Sequence, residues 1–221
     1  MNLQRAVNII KRQCGFRQTG DATIIEIIQD AQEQIETTYP VEPLPWFLLT
    51  ERSSVSSPPD EERILLPTDF MLEYEEDALW LQLPDGGEKL LNKYDADDLR
   101  QTVSRMTTAE LASNRTSFKF AYALTGDYFR IFPTPDLSYT YKMIYYQKQE
   151  LMDDGLDENR WLKYAPWVLI GMAGENYAHA IRDATAMQYF QQKKGSALQS
   201  ITDHTLARQL ANRRMAMGET Q

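Results

Sequence analysis

Two histidines, one cysteine and one acid-rich run are the residues whose types could support metal or acid–base chemistry: His179, His204, Cys14, and Asp153-Asp154-Gly155-Leu156-Asp157-Glu158-Asn159. Their spacing argues against that chemistry. Neither histidine has a His or Cys partner at metal-ligand separation, so a zinc site lacks support. His179 falls on an aromatic stretch with helical spacing and reads as a partly buried packing residue. The acidic run superficially resembles a calcium loop, but it lacks the alternating acids and the closing glutamate at position twelve, and reads as a solvated turn. Cys14 lies on an apolar stripe and reads as a small core residue rather than a nucleophile. As the single cysteine it cannot form an internal disulfide, which fits a reducing cytoplasm. There is no Gly-x-Ser-x-Gly, Walker loop or Gly-x-Gly-x-x-Gly motif. Carboxylate pairs that could serve a glycosidase occur in any acidic chain and carry little weight. No catalytic residue, metal ligand or cofactor is expected, and the chain reads as a non-enzyme.

One basic cluster stands out near the C-terminus: Arg208, Arg213 and Arg214, beside Met215 and Met217. Arginine and methionine are enriched at interfaces, so this is a candidate contact patch for a partner protein; the plainer alternative is a solvated helix end complementing its own dipole. The net charge of -9 is concentrated elsewhere, because residues 60–98 hold thirteen acids and three bases. Such a surface repels phosphate and disfavours tight nucleic-acid binding. It could border DNA that must slide past without sticking, or simply be a solvated acidic face.

At 221 residues, 43% hydrophobic, the chain can bury a sizeable core. No apolar run approaches the roughly 20 residues of a membrane span, and no secretory core follows the first residues, so a soluble protein is expected. Leu3, Val7, Ile10 and Cys14 predict a first helix ending at Gly15. A second is predicted from Asp21 or Thr23, where Thr23-Ile24-Ile25-Glu26 has capping-box spacing, through to about Tyr39. Between residues 46 and 149 the apolar period becomes that of strands. Candidates cover 46–51, 53–57, 72–75, 78–83 and 88–93, with 96–106 open between strand and short helix. Phe118, Phe120, Tyr122 and Leu124, then residues 128–132, then Tyr139, Tyr141, Met143 and Tyr145, predict three successive strands of an antiparallel meander, part of a small sandwich or barrel-like sheet. Helix returns at Asn159, with Pro166 tolerable only in a first turn. Its residues are apolar on nearly all sides, and Gly171 and Gly174 point to close helix packing. A last helical stretch, from about 183 to 217 with a break at Gly195, shows no clean apolar stripe beyond that glycine and is expected to order against a partner.

The predicted fold class is therefore α+β: a helical bundle built from residues 1–44 and 151–221, with an inserted antiparallel β meander or sandwich over 45–150.

Several stretches together resemble the head-to-tail adaptor, or connector, proteins of tailed bacteriophages. Leu66-Pro67-Thr68-Asp69-Phe70 is similar to the element preceding that family's first core strands. Tyr122 followed by Gly126-Asp127-Tyr128-Phe129-Arg130-Ile131-Phe132-Pro133-Thr134-Pro135-Asp136 resembles its central hairpin, and 141–146, ending in Tyr145-Tyr146, the strand after it. Asn159-Arg160-Trp161-Leu162, then Ala165-Pro166 and an apolar helix, resembles its third helix. The likeness spans about 20–190; Trp167-Val168-Leu169-Ile170-Gly171 departs from the tyrosine-rich version expected after the proline. The resemblance implies a structural virion protein at the head–tail junction, made in the bacterial cytoplasm and forming a homo-oligomeric ring of about twelve copies. Its partners would be the portal and a tail nozzle, tail tube or fibre protein; apart from the resemblance, which does not reach the C-terminal residues, the patch of Arg208, Arg213, Arg214, Met215 and Met217 is the expected contact with the portal. DNA would pass through the channel during ejection without specific binding. The alternatives are another tail component, such as a terminator or nozzle subunit, and a cell-wall hydrolase.

Overall fold

The first two helices are placed by apolar stripes and by one ion pair. In the computed structural model, which describes residues 1–15, 19–38, 44–57, 59–74, 78–83 and 85–218, helix α1 (Leu3–Gln13) buries Leu3, Ala6, Val7 and Ile10. Gly15, at φ +75°, follows its end, and Cys14 is buried beside it. Helix α2 (Asp21–Glu33) starts after Gly20 with no side-chain cap. The predicted box at Thr23 and Glu26 therefore does not form; both lie inside the helix. Asp21 explains the earlier start, because its carboxylate accepts from Lys11 and from Gln4 on α1 and places negative charge at the helix's positive end. These bonds, Lys11 first, hold the Asp21 carboxyl below its usual range. Beyond Glu33 the chain winds into a π-helical segment, Gln34–Thr38; residues 39–43 lie outside the described set.

Trp46–Leu48 is a 3-10 turn rather than a strand. A compact β unit follows over Leu49–Gln147, while Met1–Leu48 and Lys148–Gln221 form the other unit. Strand β1 (Leu49–Ser57) joins the two predicted segments, with a register shift between Arg52 and Val55. Next come β2 (Arg63–Leu65), β3 (Phe70–Glu73), β4 (Leu79–Gln82), β5 (Glu88–Leu90) and β6 (Asn92–Lys93). The ambiguous stretch resolves into helices α3 (Ala96–Arg105) and α4 (Thr108–Thr116). Helix α4 carries a capping box between Thr107 and Glu110, a signal present in the sequence and overlooked. Strands β7 (Ala121–Thr125), β8 (Tyr128–Phe132) and β9 (Tyr139–Gln147) complete the unit.

The predicted meander is corrected here. Strands β7 and β8 pair as a hairpin, but β9 leaves them for another sheet. One sheet runs β2-β8-β7-β6, with β6 and β7 parallel. The other runs β1-β9-β4-β5, with β3 also paired to β9. Pro133 and Pro135 lack the N–H a ladder needs, so the chain quits the first sheet after Phe132. The core between the sheets includes Leu79, Leu81, Tyr122, Phe129, Ile131, Tyr141 and Met143.

The motifs at 66–70, 122–136 and 141–146 that carried the resemblance meet in and around this core. Asp69 accepts from the Tyr145 hydroxyl at 3.0 Å and from Gln147 Nε2 at 2.7 Å. Phe70 stacks on Tyr145 and meets the edge of Phe129. The Leu66 amide donates to the Asp127 carbonyl in the β7–β8 turn. Arg130 pairs with Glu62 at 2.8 Å and lies over the Phe132 ring.

In the helical unit, Asn159 caps α5 (Arg160–Tyr164) by accepting from the Leu162 amide. The expected single helix breaks at Ala165, and Pro166 opens α6 (Pro166–Ala180) at its first position, where the missing N–H costs nothing. Asp183 accepts from the Ala186 amide at the start of α7 (Ala184–Gly218), a helix of 35 residues and about 52 Å at 1.5 Å per residue. It runs unbroken through Gly195, contrary to the expected interruption. Helices α6 and α7 pack through the two predicted glycines. A Cβ on Gly171 would lie 2.8 Å from Lys194 Cβ and 3.1 Å from its Cα, and one on Gly174 would lie 2.5 Å from the Phe190 ring.

Candidate functional site

The helical unit holds a buried polar network centred on Glu36, which is 8% exposed. The Trp161 indole donates to Glu36 Oε1 at 2.6 Å, and the Gln149 amide donates to both carboxylate oxygens. One turn earlier, Gln32 Nε2 donates to the Gln149 carbonyl while its Oε1 accepts from Asn159. Gln29 donates to the Met152 carbonyl. Residues 29, 32 and 36 share one face at helical spacing, so three polar side chains stitch the returning chain at 149–152 to the α2 segment. These bonds pair backbone groups of a stretch that makes no strand of its own. Burial raises the Glu36 carboxyl above its ordinary range, and the bonds from Trp161 and Gln149 only partly counter this.

A raised folded-state pKa means the folded chain binds the proton more tightly, so this group's contribution to stability falls as pH rises past the ordinary carboxylate range. Glu36→Gln should therefore gain melting temperature relative to the parent as buffer moves from about pH 4 to about pH 7.5. A difference between the two proteins that stays constant with pH would contradict the assignment.

The acidic loop at 153–158 is a folded turn that caps α1. Asp157 Oδ2 accepts from the Asp153 and Asp154 amides, and Asp154 Oδ1 accepts from the Leu156 amide. The carbonyls of Asp157 and Gly155 accept the Leu3 and Gln4 amides at 2.9 Å each, filling two of the four donors left open at a helix start. Bonds from Asp154 and Asp153 hold the Asp157 carboxyl low. Among the described residues no group of three His, Cys, Asp or Glu side chains is placed to hold a metal ion.

Around the start of α5 lies an aromatic cluster. Phe47 meets Trp161 edge-on at 5.2 Å and stacks with Tyr164, and Trp46 lies 5.1 Å from Tyr164. Arg208 closes it, its guanidinium 3.6 Å from the Trp46 ring centre. The arginine read as a partner contact is thus engaged within its own unit. Arg213, Arg214, Met215 and Met217 lie on the helical backbone of α7, but their side chains are outside the described residues. The structure therefore brings Arg208, and no other described member of the patch, to an aromatic partner. Nor does the distal helix lack an inner edge, since Ile201 and Thr205 are buried at 8% and 2% exposure. Leu206 and Leu210 are exposed. Sequence reasoning missed Glu36 and Trp46. Glu36 looks like any solvated acid until Trp161 is folded onto it. His179 is exposed at the last turn of α6, not partly buried as expected, and His204 is exposed on α7. Among the described residues, no helix is long and apolar enough to cross a membrane.

This α+β chain spends its recognisable motifs on turns, caps and core contacts. It is a member of the SU10 adaptor protein family, whose model matches residues 2–219. This agrees with the resemblance to phage head-to-tail adaptors and makes it a structural protein of the bacteriophage virion. The comparison with individually curated proteins gives no match.

Proposed function

We propose that the protein forms a closed ring of identical copies, about twelve, between the portal and the tail, around the channel through which DNA leaves the head. The observation that carries this reading is the family membership over residues 2–219. The helical unit (1–48 with 148–221) is the ring body, and α7 is the arm that reaches the portal. Leu206 and Leu210 are exposed at 44% and 59% on that arm, ahead of Arg213, Arg214, Met215 and Met217. The β unit contacts the nozzle, tail tube or fibre proteins. Its exposed acids, including Asp60, Glu61, Asp85, Asp95, Asp97 and Asp98, give DNA a surface without affinity for phosphate. Synthesis is in the host cytoplasm, and no step of catalysis is assigned.

Purified protein mixed with its portal and imaged by electron cryomicroscopy should show a ring seated on the portal. Particles in which the portal is bare, or carries a lone copy, would reject the reading.

A further inference from the structure

We propose that helices α3 and α4 form a flap that detaches from the β unit as one piece while both sheets stay folded, uncovering Phe120, Ala121 and Phe132 beneath it. The device belongs to the single copy and is independent of the ring. Little holds the flap down. Among the described side chains of the two helices Leu99 alone is buried, and α4 contributes none. Helix α1, with eleven residues, buries four. Val103, Met106 and Leu111 are only half-buried. Under the pair lies a cavity of about 170 Å³, with Leu99, Val103 and Met106 above it and Phe120, Ala121 and Phe132 below. Side chains facing such a space lack partner atoms on one side and forgo their dispersion contacts. The joint is therefore underpacked, where a domain core is close-packed.

The ends and the interior of the segment suit a unit that moves together. It is entered from β6, an exposed two-residue strand on a sheet edge. It is left through Phe118, whose φ of +51° is a strained, left-handed conformation for an aromatic residue. The Phe118 ring is held edge-on to Tyr139 at 6.2 Å, and the strain relaxes once that hold is released. Within the flap, Asn114 donates to Met106 Sδ at 3.7 Å and ties one helix to the other. Thr107 and Glu110 close their capping box, and the Ser117 hydroxyl donates to the Ser113 carbonyl. Below, Phe120 packs on Tyr139 and Tyr122 on Phe129, contacts the sheets keep when the flap departs. Helices of ten and nine residues do not persist alone in water, so departure melts both and their amides report it. Opening exchanges an exterior bearing Asp97, Asp98, Arg100, Arg105 and Glu110, all exposed, for an apolar one.

Native-state hydrogen exchange of the full chain, read by mass spectrometry, tests this. Amides of 96–116 should be protected relative to an unfolded chain, yet exchange together about 100-fold or more faster than those of β8 and β9. Protection equal to that of β8 and β9, or none at all, would overturn the flap. L99A removes the one buried anchor. It should speed exchange over 96–116 by about tenfold or more and leave β8 and β9 as protected as in the parent. Lost protection spreading into β8 and β9 would mean that the helices are part of the sandwich core. That result, or no change over 96–116, would equally overturn the proposal.

Discussion

Gly174→Ala and Gly171→Ala will each destabilise the helical unit, whereas Gly195→Ala will stabilise it. Alanine is favoured over glycine inside a helix by about 1 kcal/mol, so on propensity alone all three substitutions would help. Space decides the sign. The new Cβ at 171 would strike the α7 backbone at Lys194, which can yield only if the helices separate, and the one at 174 would strike the ring of Phe190. Phe190 is fully buried and edge-on to Tyr189, so it has no empty space to enter. Overpacking of this kind costs about 1–3 kcal/mol. At about 2–4 °C per kcal/mol for a chain of this size, each variant should melt several degrees lower. At Gly195 a Cβ meets nothing within 4 Å, and the propensity gain should appear intact. Thermal melts of the three proteins check this together. A rise at 171 or 174 would mean that α6 and α7 do not approach as closely as described.

Ending the chain after Arg208 should reduce portal attachment by roughly 10–100-fold while leaving the fold in place. The cut keeps Ile201, Thr205 and the Arg208–Trp46 contact, the last described packing of α7 on its own unit, and removes Arg213, Arg214, Met215 and Met217. Arg208→Ala in the full chain separates the two roles. If Arg208 serves as an internal clamp, its loss should lower stability by about 0.5–1 kcal/mol, the range for an exposed cation–π pair, with little change in attachment. Co-sedimentation with portal, alongside melting curves, distinguishes these outcomes. Full attachment by the shortened chain would remove the arm from the docking role.

How far the sequence could be read follows from the range of each interaction. Local signals were legible: the stripe of α1, the Asn159 cap, Pro166 at a helix start and the β7–β8 turn each rest on residues within a few positions of one another. The glycines at 171 and 174 were legible too, because a glycine pair in an apolar helix has few other uses. Partnerships across the chain were not. The pairing of β9 with β1, β3 and β4 rather than β8 depends on which sheet the chain joins after two prolines, and alternation of tyrosines is the same in either sheet. Trp46 and Arg208, or Glu36 and Trp161, meet only once α5 and α7 are placed, and nothing in a side chain's own neighbourhood foretells that. The capping box at Thr107 and Glu110 was local and readable, but an acidic stretch of mixed propensity obscured it.

A density map of the head–tail junction in the intact virion tests the central claim most directly. The account predicts copies of this chain in a closed ring immediately below the portal, with the end of α7 reaching toward it. Density for the chain elsewhere in the tail, or as an isolated copy away from the portal, would contradict it.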